Sequence, residues 1–214
     1  MYLAIEGVIG VGKTSLARLL APELEAQLVL EVFEENPFLS SFYSDRKRYA
    51  FQTQIFFLLS RYRQQRETVP DALAQGNLIA DYTFEKDSLF AQLNLQDDEL
   101  ATYNQVHEAL AERIHLPDLI VYLRVETDVA MQRIAARDRS YERNMDRGYI
   151  DQVNHAYEQF FGSRESDSVL TIDSTRLDFV ARPEDLTFII QRIRAELGIP
   201  PYQPTLPMDG ETLR

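Results

Sequence analysis

The chain has 214 residues, no cysteine and a formal net charge of -12. That length allows one sizeable domain with its own core. The missing cysteines exclude structural disulfides and cysteine zinc sites, and the acid excess argues against nucleic acid as a partner. No run of about 18 apolar residues is present to span a membrane, and "MYLAIEG" enters a strand with no leader, so a cytoplasmic protein is expected.

The first predicted strand, 2–6, runs into Gly7-Val8-Ile9-Gly10-Val11-Gly12-Lys13-Thr14, which fits G-x-x-x-x-G-K-[ST]. Glycines let the backbone curl so that successive N–H groups face phosphate oxygens. A helix predicted over 13–25 adds the positive end of its dipole. Lys13 supplies a point charge and the Thr14 hydroxyl a ligand for Mg²⁺. A bound nucleoside triphosphate is expected, its phosphates cradled by Gly7, Gly10, Val11, Gly12, Lys13, Thr14 and Ser15. An incidental glycine-rich turn is the alternative. Switches, motors and kinases share such loops, so the loop alone names no reaction.

The second predicted strand, 27–33, brings Glu31 to a strand end, where α/β sheets place ligand groups. A carboxylate there suits a general base that takes a proton from an attacking hydroxyl. A solvated acidic loop with Glu34 and Glu35 is the other reading. A helix follows over 45–69, with Phe51, Ile55, Leu58 and Leu59 at core spacing. Gln52 lies on a neighbouring face, and its amide suits either a nucleobase edge or an ordinary surface hydrogen bond. The third predicted strand, 77–82, ends at Asp81, placed to hold Mg²⁺ or to cap the next helix.

Helical segments at 85–115, with a break, and a strand at 119–125 precede a helix at 127–137. Between 133 and 147 lie five arginines, Arg133, Arg137, Arg139, Arg143 and Arg147, among three acids. Arg133 and Arg137 share a helix face. Clustered guanidinium groups suit phosphoryl oxygens and the charge of a phosphoryl-transfer transition state. A salt-bridged surface helix, with Arg139 paired to Asp138 or Glu142, is the plainer alternative. Gly148 fits a segment that closes over the site. A helix at 146–162, a strand at 169–173 and a helix at 184–197 complete the pattern. Most strands are continuous apolar runs, as in a parallel sheet covered on both faces, so a three-layer α/β fold is expected. Residues 1–198 form the expected domain. The proline-rich stretch at 199–214 reads as an irregular tail, with Tyr202 and Leu206 available to pack on the body or on a neighbour.

Four motifs in order resemble the bacterial deoxynucleoside kinases, the family that includes deoxycytidine, deoxyadenosine and deoxyguanosine kinases. "IEGVIGVGKTSLA" resembles the family's phosphate loop and "EVFEENPFLSSFY" its E-P-V-x-x-N-P segment. "FQTQIFFLLSRY" is similar to its base-binding helix, and "RIAARDRSYE" to its R-I-x-x-R-x-R-x-x-E lid. The resemblance covers about residues 2–173. It implies a five-stranded parallel P-loop kinase fold with an arginine-rich lid, usually as a homodimer. It implies Glu31 as catalytic base on the 5′-hydroxyl, Gln52 reading the nucleobase, and Tyr43 and Glu142 holding the sugar 3′-hydroxyl. Arg133, Arg137 and Arg139 become lid arginines, and residues near 173–177 lie by the adenine of ATP.

Two positions depart from the family pattern. Val32 replaces a proline, and the usual D/E-R-S/T reads Asp81-Tyr82-Thr83. A tyrosine at 82 changes the charge beside Glu31 and resembles deoxyguanosine kinase-like members. The expectation is ATP- and Mg²⁺-dependent phosphorylation of a deoxypurine nucleoside, deoxyguanosine first and deoxyadenosine second, in nucleotide salvage. A nucleoside monophosphate kinase and a non-catalytic ATP-binding regulator are the competing readings.

Overall fold

The protein is described by a computed structural model over residues 1–112, 114–162 and 168–200. Strand β1 (Tyr2–Glu6) is buried at every position: its run 2–5 as a central strand requires, and Glu6 because Thr83 and Tyr157 donate to its carboxylate. It is flanked by β3 (Asn77–Ala80) and β4 (Leu119–Arg124), with β2 (Ala26–Val29) beyond β3 and β5 (Val169–Asp173) beyond β4. Every pairing is parallel, so each crossover carries helix. The expected five-stranded α/β fold is the one observed. No helix among the described residues is long and apolar enough to cross a membrane.

Helix α1 (Lys13–Glu23) begins directly after the glycine loop. Next come the short α2 (Leu39–Ser44), the long α3 (Arg46–Arg66) and α4 (Thr68–Gln75), then α5 (Lys86–Asn94) and α6 (Asp97–Ala111). Helices α7 (Thr127–Arg137), α8 (Arg147–Gly162) and α9 (Pro183–Glu196) follow among the described residues. The helix expected over 45–69 therefore ends earlier and restarts as α4, and α2 was not foreseen.

β2 is shorter than expected. Its last rung pairs Val29 with Ala80, where β3 also stops. With no partner strand beyond, the chain leaves the sheet, and the Glu31 N–H turns to the Asp81 carboxylate at 2.7 Å. Glu31 thus stands in the loop two residues past the strand. The expected contacts of Tyr202 and Leu206 lie outside the described residues.

Candidate active site

Gly7, Gly10 and Gly12 all have positive φ, at 146°, 87° and 110°. At Gly10 the close approach also demands glycine. A Cβ there would meet the Ala130 carbonyl oxygen at 2.8 Å and Ile134 Cγ1 at 2.6 Å, both on α7. The phosphate loop and the arginine-bearing helix are thereby pressed together. Lys13 opens α1, and its ammonium donates to the Gly7 and Val8 carbonyls at 2.7 and 3.2 Å. Burial, aided by the neighbouring Lys86 charge, lowers its pKa to about 8. The Val11 N–H is turned to the Val8 carbonyl at 3.2 Å, and Gly7 lines neither hollow described below.

β1 and β3 are neighbours, so the ends of both strands meet. That brings the Thr14 hydroxyl onto Asp81 Oδ2 as a hydrogen-bond donor, while Asp81 Oδ1 accepts the Glu31 N–H. A hydroxyl and a carboxylate placed together are the sparse oxygen set that Mg²⁺ takes when substrate phosphates supply further ligands. No cluster of three or more His, Asp or Glu side chains suited to a metal occurs among the described residues. The helix-cap alternative for Asp81 fails, because its partners lie on α1 and in the β2 loop.

Two hollows meet here. One is a cleft of about 720 Å³ along the loop, lined by Lys13, Thr14, Ser15, Arg18, Arg133 and Phe179 among others. The second is an inner cavity lined by Glu31, Tyr43, Thr53, Gln54, Arg61 and Glu142 among others. Gly10, Lys13, Thr14, Arg137 and Arg139 line both. A group transferred between occupants of the two would pass these residues.

Glu31 is no solvated loop acid. It is 14% exposed and clasped by two cations, with Lys86 Nζ at 2.8 Å from Oε2 and Arg61 on Oε1. Burial would raise its pKa, but the Arg61 and Lys86 charges and hydrogen bonds outweigh that and hold it far below the usual carboxylate range. Arg61 also donates to the fully buried Asp87. Neither Arg61, Lys86 nor Asp87 was foreseen. In the sequence, Arg61 is one of several arginines near the end of a helix, and nothing marks it as facing inward.

Three residues singled out in the sequence have surroundings that the sequence did not show. Gln52 is exposed and lines neither hollow, whereas Gln54 is buried and lines the inner cavity. The inward face of α3 carries Ala50, Thr53, Gln54, Leu58, Arg61 and Gln65, and Leu59 points out at 49% exposure. This face mixes apolar and polar residues because it walls a cavity, so apolar spacing misread the helix rotation. Tyr82 is fully buried and lines neither hollow. Its hydroxyl lacks a hydrogen-bond partner among the described residues, and Arg61 lies 5.9 Å from its ring centroid. Arg133 spends its guanidinium on backbone carbonyls, Val11 at 3.0 Å and Ser174 and Leu177 at 2.9 Å each. It ties the phosphate loop to the segment after β5 and at the same time lines the outer cleft.

The other lid residues converge. Arg137 donates to Glu142 Oε2 through Nε at 3.1 Å and Nη2 at 2.6 Å, and Arg139 lies 3.7 Å from Oε1. Arg139 also stacks over Phe33, 4.0 Å from the ring centroid. Glu142 is buried and shares the inner cavity with Tyr43, which stacks on Tyr141. The outer arginines instead pair at the surface, Arg143 with Asp138 and Arg147 with Asp128.

The sequence model of the deoxynucleoside kinase family matches residues 3–197. The deoxyguanosine kinase of Bacillus subtilis (strain 168) is 33% identical over 198 residues, 90% of this chain and 96% of that protein. The deoxyadenosine kinase of Dictyostelium discoideum is 36% identical over 164 residues, 74% of this chain and 66% of that protein. A solved deoxyadenosine kinase from M. mycoides with bound dATP superposes with a TM-score of 0.79 at 28% identity, over 91% of this chain and 100% of that one. Agreement over nearly the whole length, with the phosphate loop and the acid-lined inner cavity both in place, makes this chain a phosphotransferase that belongs to the deoxynucleoside kinase family.

Proposed function

We propose that the protein transfers the γ-phosphoryl group of ATP to the 5′-hydroxyl of a deoxynucleoside, a salvage reaction. The observation that carries this reading is the pair of hollows sharing Lys13, Thr14, Arg137 and Arg139, with Glu31 on the inner side. ATP would lie along the outer cleft with its phosphates against the loop. The deoxynucleoside would fill the inner cavity, its base edge on Gln54 and its sugar hydroxyl on Tyr43 and Glu142. Glu31 receives a hydrogen bond from the 5′-hydroxyl, aims that oxygen in line, and takes its proton as the new P–O bond forms and the bond from the γ-phosphorus to the bridging oxygen breaks, ADP leaving. Lys13, Arg137 and Arg139 face the charge that spreads over the equatorial oxygens. Mg²⁺, held by Thr14 and Asp81, would neutralise the phosphate charge. Such catalysis is positioning plus electrostatics.

Deoxypurines are the proposed acceptors, deoxyguanosine first and deoxyadenosine second. The support is the activity named for the relatives, because Tyr82 does not reach the cavity and no longer carries the argument. A cytoplasmic homodimer belongs to the same reading, the homodimer as what the family resemblance implies. The test is ADP release from ATP with each of the four deoxynucleosides and with their monophosphates. Turnover with deoxyguanosine or deoxyadenosine is expected. Turnover with a monophosphate alone would refute the acceptor class. Glu31→Gln should abolish turnover and leave nucleotide binding intact.

A further inference from the structure

Among the described residues Lys86 is, with Arg61, a buried cation that the sequence motifs do not explain. It is the first residue of α5, where the helix dipole favours anions over cations. It is 7% exposed, and a lysine is rarely buried unless paired. Its ammonium has one hydrogen-bond acceptor among the described residues, Glu31 Oε2 at 2.8 Å. It also lines the inner cavity. An unfavourable placement at a helix start is thus held by a single carboxylate oxygen, on the wall of the inner cavity.

The lone pairs of Glu31 show what this does. A carboxylate oxygen has two acceptor directions. Oε1 takes both Arg61 donors, Nε at 3.1 Å and Nη2. Oε2 takes only Lys86, so one direction remains on Oε2. An acceptor hydroxyl therefore meets Glu31 at Oε2, beside the Lys86 ammonium.

We propose that Lys86 is a positioning residue for phosphoryl transfer, holding Glu31 from the Oε2 side so that its remaining lone pair faces the acceptor hydroxyl. Arg61 grips the opposite oxygen, so the carboxylate is clamped against rotation about its terminal bond. Without Lys86 the carboxylate turns on Arg61 alone and the receiving lone pair loses its direction. The inference rests on the reading of Glu31 given above.

The test is a series at one position, Lys86→Arg, Lys86→Gln and Lys86→Met, assayed with saturating ATP and the best acceptor. Circular dichroism and thermal melts select the folded variants. The kcat is expected to fall in the order wild type, Arg, Gln, Met, with the methionine variant about 100-fold down, the scale of a lost positioning contact. The KM for ATP should stay within about 2-fold, since Lys86 does not line the outer cleft. Millimolar methylammonium should restore part of the kcat of Lys86→Met. If the methionine variant does not fold, the ratio of arginine to glutamine decides. Equal kcat across the folded variants, or a loss confined to KM, overturns the proposal. Glu31→Gln is run alongside. If it retains turnover, the Glu31 reading itself has failed; if it is dead while the Lys86 series is flat, only this inference falls.

Discussion

Arg61 and Asp87 are bonded to each other, yet their removal should not cost the same. Asp87 is fully buried, Arg61 is its side-chain partner, and Asp87 Oδ2 has no hydrogen-bond partner among the described residues. Arg61→Leu therefore strands an ionised carboxylate in the interior, which costs about 3–5 kcal/mol. Asp87→Asn leaves Arg61 its two donors to Glu31 and removes one charge-assisted bond, worth about 1.5–3 kcal/mol. The two single variants should differ by about 2 kcal/mol. The double variant Arg61→Leu/Asp87→Leu should recover part of the larger loss, because it buries no unpaired charge, with a coupling of about 0.5–3 kcal/mol. Urea unfolding at pH 7 reads all three. At a slope near 3 kcal/mol/M, Arg61→Leu moves the midpoint by roughly 1–2 M. If the two single variants are equally destabilised, or if the double variant is simply their sum, the chain of alternating charges from Asp87 through Arg61 to Glu31 and Lys86 is not what holds the cavity wall.

Gln54→Ala should raise the KM for the deoxynucleoside about 10-fold, the loss of roughly one hydrogen-bonded contact, while Gln52→Ala on the exposed face stays at wild-type values; the reverse result would restore the rotation first expected for α3. Gly10→Ala should cost about 2–4 kcal/mol, from a positive φ and a Cβ driven into α7, and should weaken ATP binding in a titration; a silent substitution would mean the loop and α7 are not pressed together. His107, stacked on Phe84 at 5.0 Å, has its pKa lowered by burial, against a backbone hydrogen bond to Phe84 and nearby acids that raise it. The unfolded chain then binds the proton more readily, so stability should fall as pH drops below the unfolded value of about 6.5. His107→Gln should flatten that part of the pH–stability curve, and an unchanged curve would exclude His107 as its source.

Wherever a role depends on local backbone, the sequence carried it. Glycines followed by Lys13 and Thr14, between an apolar run and a helix-competent stretch, can form little else, since loop curl and helix start are properties of adjacent residues. Continuous apolar runs likewise announced a covered parallel sheet. The arginines of α7 were visible as a cluster, but their division of labour was not. Arg133 serves carbonyls 41 to 122 residues away, and no spacing records such partners.

The inner cavity belongs to the tertiary structure. α3 buries Thr53, Gln54 and Arg61 where its inward face walls a hollow, and Gln65 on the Tyr2 hydroxyl, a rotation that apolar periodicity did not show and that the resemblance, by naming Gln52, placed on the wrong glutamine. Tyr82 and Lys86 sit four residues apart in the chain, and packing sends the tyrosine into the core and the ammonium onto Glu31. The sequence alone determined the sheet, the phosphate loop and the family likeness, all written in neighbouring residues. Only the fold decided which charges face one another across 26 to 55 residues of chain, because burial and pairing depend on helix rotation and long-range packing.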